Sequence, residues 1–593
     1  MTEAVLAAPV QVKRGDTLRL RFPVACVVAF WAAFIVIAFT EKLYFYSFLS
    51  QVASTFLFVV LFFGWWFFNR GLTWKQKLGG FAIIVTGAFL VAKFLDRSVN
   101  PFVLGRLGIP IVATVIVLWL KRARRNRAPF VGLTFFALVY ATWACFLLVR
   151  SEGADSALKQ SYFPRWTPST EERFLAVKPS PSPTKVADAV ELSPTKNQWT
   201  EFRGANRDGA VFGSTISTNW SAPPALLWKR PVGPAWSSIS IVGQRLFTQE
   251  QRGASEAVVC YDAQNGEELW SHEDSARFEE SLAGTGPRAT PTFHEGKLFT
   301  LGGAGVLNCL DALTGKPVWQ KNITEHSGAR TPMWGFSSSP LIVGGKVIIY
   351  AGLGSGVVAY TVDKGEVVWS TPAGHTSYSS PQLAIIDGVS QCLMLHDGGL
   401  TGFDLSTGKK IWETGFSFPD GPRSNQAHKV GGNDLIVGGA NNSMNAASIS
   451  SFKVTRSGDS WTVATNWISK DMKPEFPDIV VHNNHAYGFD VALFSCINLA
   501  DGKRTWKEGR YGRGQVILLA DQNALLVASE TGDLVLLAAD STTHRELGRF
   551  KALEGKTWAG PVVDGDRIYH RNAQEMACYT FNTSPPKTVA AFQ

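Results

Sequence analysis

Two rhythms of hydrophobic positions divide this chain. Up to about residue 150 the apolar residues come in unbroken runs of roughly 18–22: 22–40, 47–68, 78–95, 102–120 and 129–149. At 1.5 Å per residue each run covers about 30 Å of hydrocarbon as a helix, so a domain of about five membrane-spanning helices is predicted over 1–150. A cleavable signal segment would not be followed by four more such runs. The fourth run is the weakest, because Arg106 and Pro110 interrupt it. Arg106 and Lys93 read as end anchors that reach toward the interface. From Trp199 onward the apolar positions alternate instead, in short runs bounded by Gly, Asn or Asp. Alternation with period 2 predicts half-buried strands.

The strands repeat. "YDAQNGEELWS" at 261 returns as "LDALTGKPVWQ" at 310, "YTVDKGEVVWS" at 360, "FDLSTGKKIWE" at 403 and "INLADGKRTWK" at 497. Strand-ending aromatics recur every 40–55 residues: Trp228, Trp270, Trp319, Trp369, Trp412, Trp467, Trp506 and, weakened, Phe550. A second apolar strand with a Ser/Pro lead-in falls between them, as in "SSPLIVGGKVIIY" at 338. Each unit thus supplies four short strands, which bury both faces only when the sheets stack radially. An all-β, eight-bladed propeller is predicted over 199–593. The strand "PALLWKR" at 224 joins the last three strands and closes the ring. In each joint Asp262, Asp311, Asp404 or Asp540 caps turn amides, Gly266, Gly315, Gly365, Gly408 and Gly502 supply positive φ, and the Trp covers the neighbouring blade.

Charge sharpens this division. The net charge is +9, but residues 1–150 hold 17 Lys/Arg against 4 Asp/Glu, and the remainder 40 against 44. Basicity confined to the apolar part argues against nucleic-acid binding. Lys13, Arg14, Arg19 and Arg21 precede the first run, and Lys121 to Arg127 follow the fourth, so Lys/Arg-rich loops alternate with poor ones. That alternation places the N-terminus in the cytoplasm, and an odd number of spans places everything after Arg150 outside. Residues 151–198, rich in Pro and Ser, read as an extended periplasmic linker, with a short helix or docking segment in "YFPRWTPSTEERFLA".

The motif D-x-x-[TSDN]-G-x-x-x-W resembles the tryptophan-docking repeats of the pyrroloquinoline quinone (PQQ)-like propellers, over residues 199 to about 582. "FRGANRDG" at 202, "GPRATPTF" at 286 and "WGFSSSPL" at 334 resemble the BamB-like branch of that family. The resemblance implies either of two functions. One is a BamB-like binding or assembly platform with an envelope protein partner, anchored in the inner membrane with the propeller on the periplasmic side. The alternative is a membrane-bound PQQ-dependent quinoprotein dehydrogenase that oxidises a sugar or alcohol with PQQ and Ca.

Propeller topology puts the loops before the inner strands on one face. They offer Trp236, Arg288, Arg330, Trp334, His375, Tyr378, Arg423, His428, Arg510, Arg513 and Trp558, an Arg/aromatic ring suited to an anionic or planar ligand or merely satisfying strand ends. Asp420 and Asp478 are loop carboxylates in reach of a base role. No adjacent Cys pair, zinc pattern, phosphate loop or nucleophile motif occurs among the 7 Cys and the remaining residues. Cys260, Cys309, Cys496 and Cys578 occupy matching strand positions and read as core residues. His482 and His485 flank a hairpin turn and read as a satisfied surface pair. Blades of under 50 residues leave no insertion to wall off a catalytic site, so no catalytic or metal residue is assigned.

Overall fold

The computed structural model describes residues 19–39, 44–126, 131–156, 158–177, 192–352, 354–415, 423–439 and 448–581. The chain divides into two compact units, 1–168 with 280–284, and 169–279 with 285–593.

The first unit is helical: α1 (Arg21–Phe39), α2 (Tyr44–Phe68), α3 (Trp74–Phe94), α4 (Ile109–Asn126) and α5 (Val131–Ala144). Among the described residues four segments are long and apolar enough to cross a membrane, including Leu104–Arg122, the run that Arg106 and Pro110 interrupt. The fifth, Gly132–Leu148, is shorter and ends in a 3₁₀ turn at Cys145–Leu148. Thr73 and Gln76 form a capping box that fixes the start of α3. Small residues let the helices approach around large ones. A Cβ on Gly87 or Gly108 would stand 2.5 or 2.4 Å from the fully buried Trp143 ring. A hairpin of Val149–Ala154 and Gln160–Pro164 follows.

In the second unit eight sheets follow one another as blades, each with four antiparallel strands and the seventh with a fifth, parallel one: 240–274, 292–322, 341–371, 382–413, 427–469, 480–510, 515–551 and 562–580. The last sheet has three consecutive strands, and its fourth is Ala225–Pro231, with Trp228 opposite Cys578. The ring closes as the sequence predicts. Arg571 of the eighth blade, fully buried, fastens the seam by donating to Thr248 Oγ1 at 2.6 Å and to the Gln249 carbonyl at 3.0 Å in the first.

The repeated string is the joint between blades. Gly266, Gly315, Gly365, Gly408 and Gly502 have φ of 64° to 71°. Each lies flat under the indole of the preceding blade: a Cβ on Gly315 would stand 2.4 Å from Trp270 Cε3, and one on Gly502 2.4 Å from Trp467 Cε3. The indole Nε1 of Trp228, Trp319, Trp369, Trp467 and Trp506 donates to the next blade's turn carbonyls, those of Ala263, Val362, Leu405, Leu499 and Asp540, at 2.7–3.2 Å. The four capping aspartates accept turn amides as expected, for example Thr314 N to Asp311 at 2.8 Å and Thr542 N to Asp540 at 2.8 Å. Burying one such indole is worth about 2–3 kcal/mol.

Three joints depart from the pattern. Trp270 covers Gly315, but its Nε1 is buried with no hydrogen-bond partner among the described residues. The blade after Trp412 replaces the Asp/Gly turn by the long hairpin Ile449–Ser457 and Ser460–Ser469, so Trp412 Nε1 donates within its own blade, to Gln391 at 2.6 Å. In the seventh blade the residue in the Trp register is Gly548, opposite Leu536, and not Phe550, which pairs with Leu534. Trp220 fills the place from outside the repeat. A Cβ on Gly548 would meet Trp220 Cβ at 2.4 Å, and the Trp220 ring lies 5.5 Å from Phe550.

The Ser/Pro lead-ins form an inner ring. The amide of Ser238 donates to Thr290 Oγ1, Thr290 to Ser339, Ser339 to Ser380, Ser380 to Gln426, and Gln426 to Asp478, at 2.9–3.2 Å, each in the next blade. The segment carrying "FRGANRDG" threads across this ring as a plug. The Trp199 and Thr200 carbonyls accept from Ile241 and Phe293. Arg207, 3% exposed, donates to the carbonyls of Ser339 and Pro340, and its own carbonyl accepts from Gln382. Arg203 donates to the Ile479 carbonyl at 2.6 Å, and Ala210–Val211 adds a parallel strand beside Leu518 and Leu519.

Replacing Gly315 by Ala combines a left-handed φ with an indole clash, whereas Gly296 (φ 76°) has open space around its Cβ. Gly296→Ala is expected to cost about 1 kcal/mol and Gly315→Ala at least twice that, read from thermal or urea unfolding of the two variants.

Candidate functional site

The inner strands all begin on one face, and the loops leading into them carry the aromatic and cationic residues expected there. Two groups form. Trp236 and Trp558, from adjacent blades, have ring centroids 5.0 Å apart. Lys556 Nζ stands 5.0 Å from the first ring and 4.4 Å from the second, a paired cation–π contact. Phe476, from two blades away, lies 5.6 Å from Trp558, with the Arg513 guanidinium 5.6 Å from its ring centroid. The second group is Trp334 against Tyr378, centroids 5.1 Å apart. The four expected aromatics are partly exposed, held in place but not enclosed.

Carboxylates near this face are already engaged. Glu475 pairs with Arg513. Glu530 accepts Trp558 Nε1 at 3.0 Å and the Arg513 amide at 3.3 Å. Asp397 accepts the His375 and Thr376 amides at 2.7 and 3.2 Å, which hold its carboxyl below the usual range against the opposing effect of burial. Arg288 lies 4.7 Å from the Phe278 ring and donates to the Gly286 carbonyl. Arg423 is buried, and its carbonyl accepts the Tyr378 amide at 2.7 Å, so it positions the neighbouring loop. Arg330, Arg510 and His375 are exposed, His375 with its ring 3.4 Å from Asp397.

Two expected residues have other tasks. Asp478 is not an available loop carboxylate. It is buried between His428 Nε2 at 2.9 Å, the Ile479 and Gln426 amides and Arg203 at 3.5 Å. Burial raises its carboxyl, but the His428 and Arg203 charges and these hydrogen bonds outweigh it and hold it below the usual range. His428 is likewise buried and belongs to this inner knot. Asp420 lies outside the described residues. His482 and His485 have separate partners, Asn523 Oδ1 at 2.7 Å and the Asn483 carbonyl at 2.8 Å. The strand cysteines are fully buried, and burial pushes the thiols of Cys260, Cys309 and Cys578 up to about 12 and that of Cys496 up to about 11.

The sequence reading missed Lys556 and Phe476. Lys556 stands in the lead-in loop of Trp558, in "GKTW", and Phe476 in the corresponding loop two blades earlier, in "PEFPD", so alignment of the lead-in loops would have shown them.

These features define the class: a closed propeller of tryptophan-docked blades with one open aromatic face. Residues 254–508 match the family model described as outer membrane protein assembly factor BamB. A curated protein of that name from Burkholderia pseudomallei (strain K96243) is 21% identical over 335 residues, 53% of this chain and 79% of that protein. Among solved structures, BamB from Moraxella catarrhalis is similar at 15% identity and a TM-score of 0.44, covering 60% of this chain and all of that one. The quinohemoprotein alcohol dehydrogenase from Comamonas testosteroni is similar at 14% identity and 0.46, covering 67% of this chain and 82% of that one. The second unit is an eight-bladed β-propeller whose repeats are similar to those of the BamB family model.

PQQ is a planar tricarboxylate that works with a divalent cation on oxygen ligands. The rings on the open face pack against one another at tilted angles and against Lys556, and the nearby carboxylates are bound to amides, Arg513 or Trp558. Among the described residues no three His, Cys, Asp or Glu side chains gather to hold a metal ion. The described residues therefore do not fit a cation-bound quinone, and no step is derived through one.

One titrating group lies behind Arg288. Glu256, 3% exposed, accepts the Gly303 amide at 2.9 Å, and burial pushes its carboxyl up to about 7. In the unfolded chain it titrates near 4.3. Between these values the native state binds more protons, so this contribution to stability is complete below about 4.3 and is lost as pH rises through 7. Glu256→Gln is expected to remove that downward slope, measured as the unfolding midpoint at pH 5 against pH 8.

Proposed function

We propose that this protein is held in the cytoplasmic membrane by residues 1–150, with its N-terminus inside. In this reading residues 151–198 lead to a periplasmic propeller, 199–593, whose open face is a docking platform for another envelope protein. The observation that carries this is the open face itself. Large rigid rings (Trp236, Trp334, Tyr378, Phe476, Trp558) stand half-exposed with Lys556 and Arg513 among them, on loops pinned by the inner hydrogen-bond ring. Aromatic and Arg side chains on a rigid frame lose little entropy on binding and supply the anchors of protein interfaces. A dehydrogenase needs a base and a bound cation at that same place. The curated relative's name, an assembly factor, supports the platform reading, and the charge alternation of the loops supports the orientation.

A photo-crosslinking residue at Trp558 or Tyr378 is expected to give one shared adduct in intact membranes, and one at the outer-strand residue Val318 none. Trp236→Ala is expected to reduce the Trp558 adduct at least tenfold. Titration of the purified chain with PQQ and Ca²⁺ is expected to show no micromolar binding. Tight PQQ binding with dye-linked oxidation of a sugar or alcohol overturns the platform in favour of the dehydrogenase.

A further inference from the structure

The geometry points to a binding site for the phosphate headgroup of an anionic phospholipid in the helical unit, centred on Arg106. The site rests on the reading of these helices as membrane-spanning, and nothing in the propeller bears on it. Arg106 lies in a π-helical turn, Leu104–Gly108, that precedes α4, with the Ile109 amide donating to the Leu104 carbonyl. Pro110, four residues on, has no N–H to give the Arg106 carbonyl, which accepts Thr55 Oγ1 of α2 at 3.4 Å instead. The turn swings the side chain against α2 and keeps it from extending freely to water. Nη2 donates to Gln51 Oε1 at 2.5 Å, and the guanidinium sits 5.5 Å from the Phe48 ring centroid.

Every partner so far is neutral. Gln51 and Thr55 are buried, Arg106 Nε is buried with no hydrogen-bond partner among the described residues, and the neighbour that feels the guanidinium's charge is the Tyr162 hydroxyl. A half-buried cation without an anion costs free energy that an anionic ligand restores, and the planar fork matches two phosphate oxygens.

Placement selects the ligand's other half. Arg106 is at the end of α4 opposite Lys121 and Arg122, which makes it the non-cytoplasmic end under the alternation of charged loops. Around that end the unit exposes apolar and aromatic surface. Phe102 is 51% exposed, with its centroid 6.3 Å from Phe48, and the hairpin that follows α5 exposes Tyr162, Phe163 and Trp166, the last 73%. An exposed Trp and Tyr at the end of a helix bundle suit a headgroup layer, and Phe102 offers an acyl chain its contact. A free anion would use only the polar half.

The test is a thermal-shift titration of the full-length protein in a neutral detergent. Dioleoyl phosphatidylglycerol is expected to raise the unfolding temperature of the helical unit saturably, by roughly 3 °C or more. Dioleoylglycerol, which lacks the phosphate, is expected to leave it unchanged. Arg106→Met is expected to abolish the shift, and Arg106→Lys, which keeps the charge without the fork, to weaken it at least threefold. A full shift in Arg106→Lys overturns the site, and does so even if the Met variant fails to fold. An equal shift with inorganic phosphate overturns the lipid assignment and leaves a free-anion site. Failure of the chain to sediment with membranes would defeat the anchoring reading but leave the micelle titration readable, so the two failures are separable.

Discussion

An indole laid on a glycine is the contact on which the propeller depends. A four-stranded sheet has two faces and no means of burying both, and the blades here solve this by giving one large flat side chain to the next blade. The glycine beneath it satisfies two conditions at once. Its φ lies where other residues are strained, and its missing side chain is the space the indole occupies. At Trp228, Trp319, Trp369 and Trp467 the indole N–H also donates to a carbonyl of the same turn, so burial, backbone geometry and a hydrogen bond coincide at one residue pair. Because each joint links consecutive blades, the ring needs one further device, and the strand Ala225–Pro231 supplies it by completing the last sheet.

Much of this was legible in the sequence because it rests on fixed residue types at fixed spacing. Asp, Gly and Trp in one short string specify a cap, a left-handed turn and a cover, while eight strand-ending aromatics indicated the blade count and the lone strand at 224 the closure. The eighth joint was misread for the converse reason. Trp220 reaches Gly548 through space from outside the repeat, and a local pattern cannot show that. The candidate site divides in the same way. Trp236, Trp334, Tyr378 and Trp558 were found because topology puts all lead-in loops on one face. Asp478 and His428 were expected there too, but burial and the threaded segment with Arg203 draw them into the inner ring, and burial is a property of the closed fold. "FRGANRDG" was visible as a string, yet its path across six blades appears only in three dimensions.

Two sets of buried hydrogen bonds hold the starts of the inner strands. The plug with Arg203 and Arg207 ties the inner strands together by buried hydrogen bonds to carbonyls, and it fixes their spacing from within. At the strand starts the head-to-tail chain from Ser238 to Asp478 holds the loops at a set pitch. Rigidity at these two levels is what permits the aromatic side chains on the open face to stay partly exposed without collapsing inward. A platform of rigid rings and a catalytic cleft make opposite demands on that face: the first needs exposed side chains whose polar groups are already satisfied, the second needs carboxylates held in reserve. The arrangement of Glu475, Glu530 and Asp397 meets the first demand.

Hydrogen exchange read by mass spectrometry on the intact protein, across a denaturant series, tests the coupled, closed ring most directly. Peptides covering 225–231 and 575–580 should share one level of protection, and the strands of all eight blades should lose protection together in a single transition. If 225–231 exchanges freely while the blades remain protected, or the blades open one after another, the indole joints do not couple the sheets and the account of this fold is wrong.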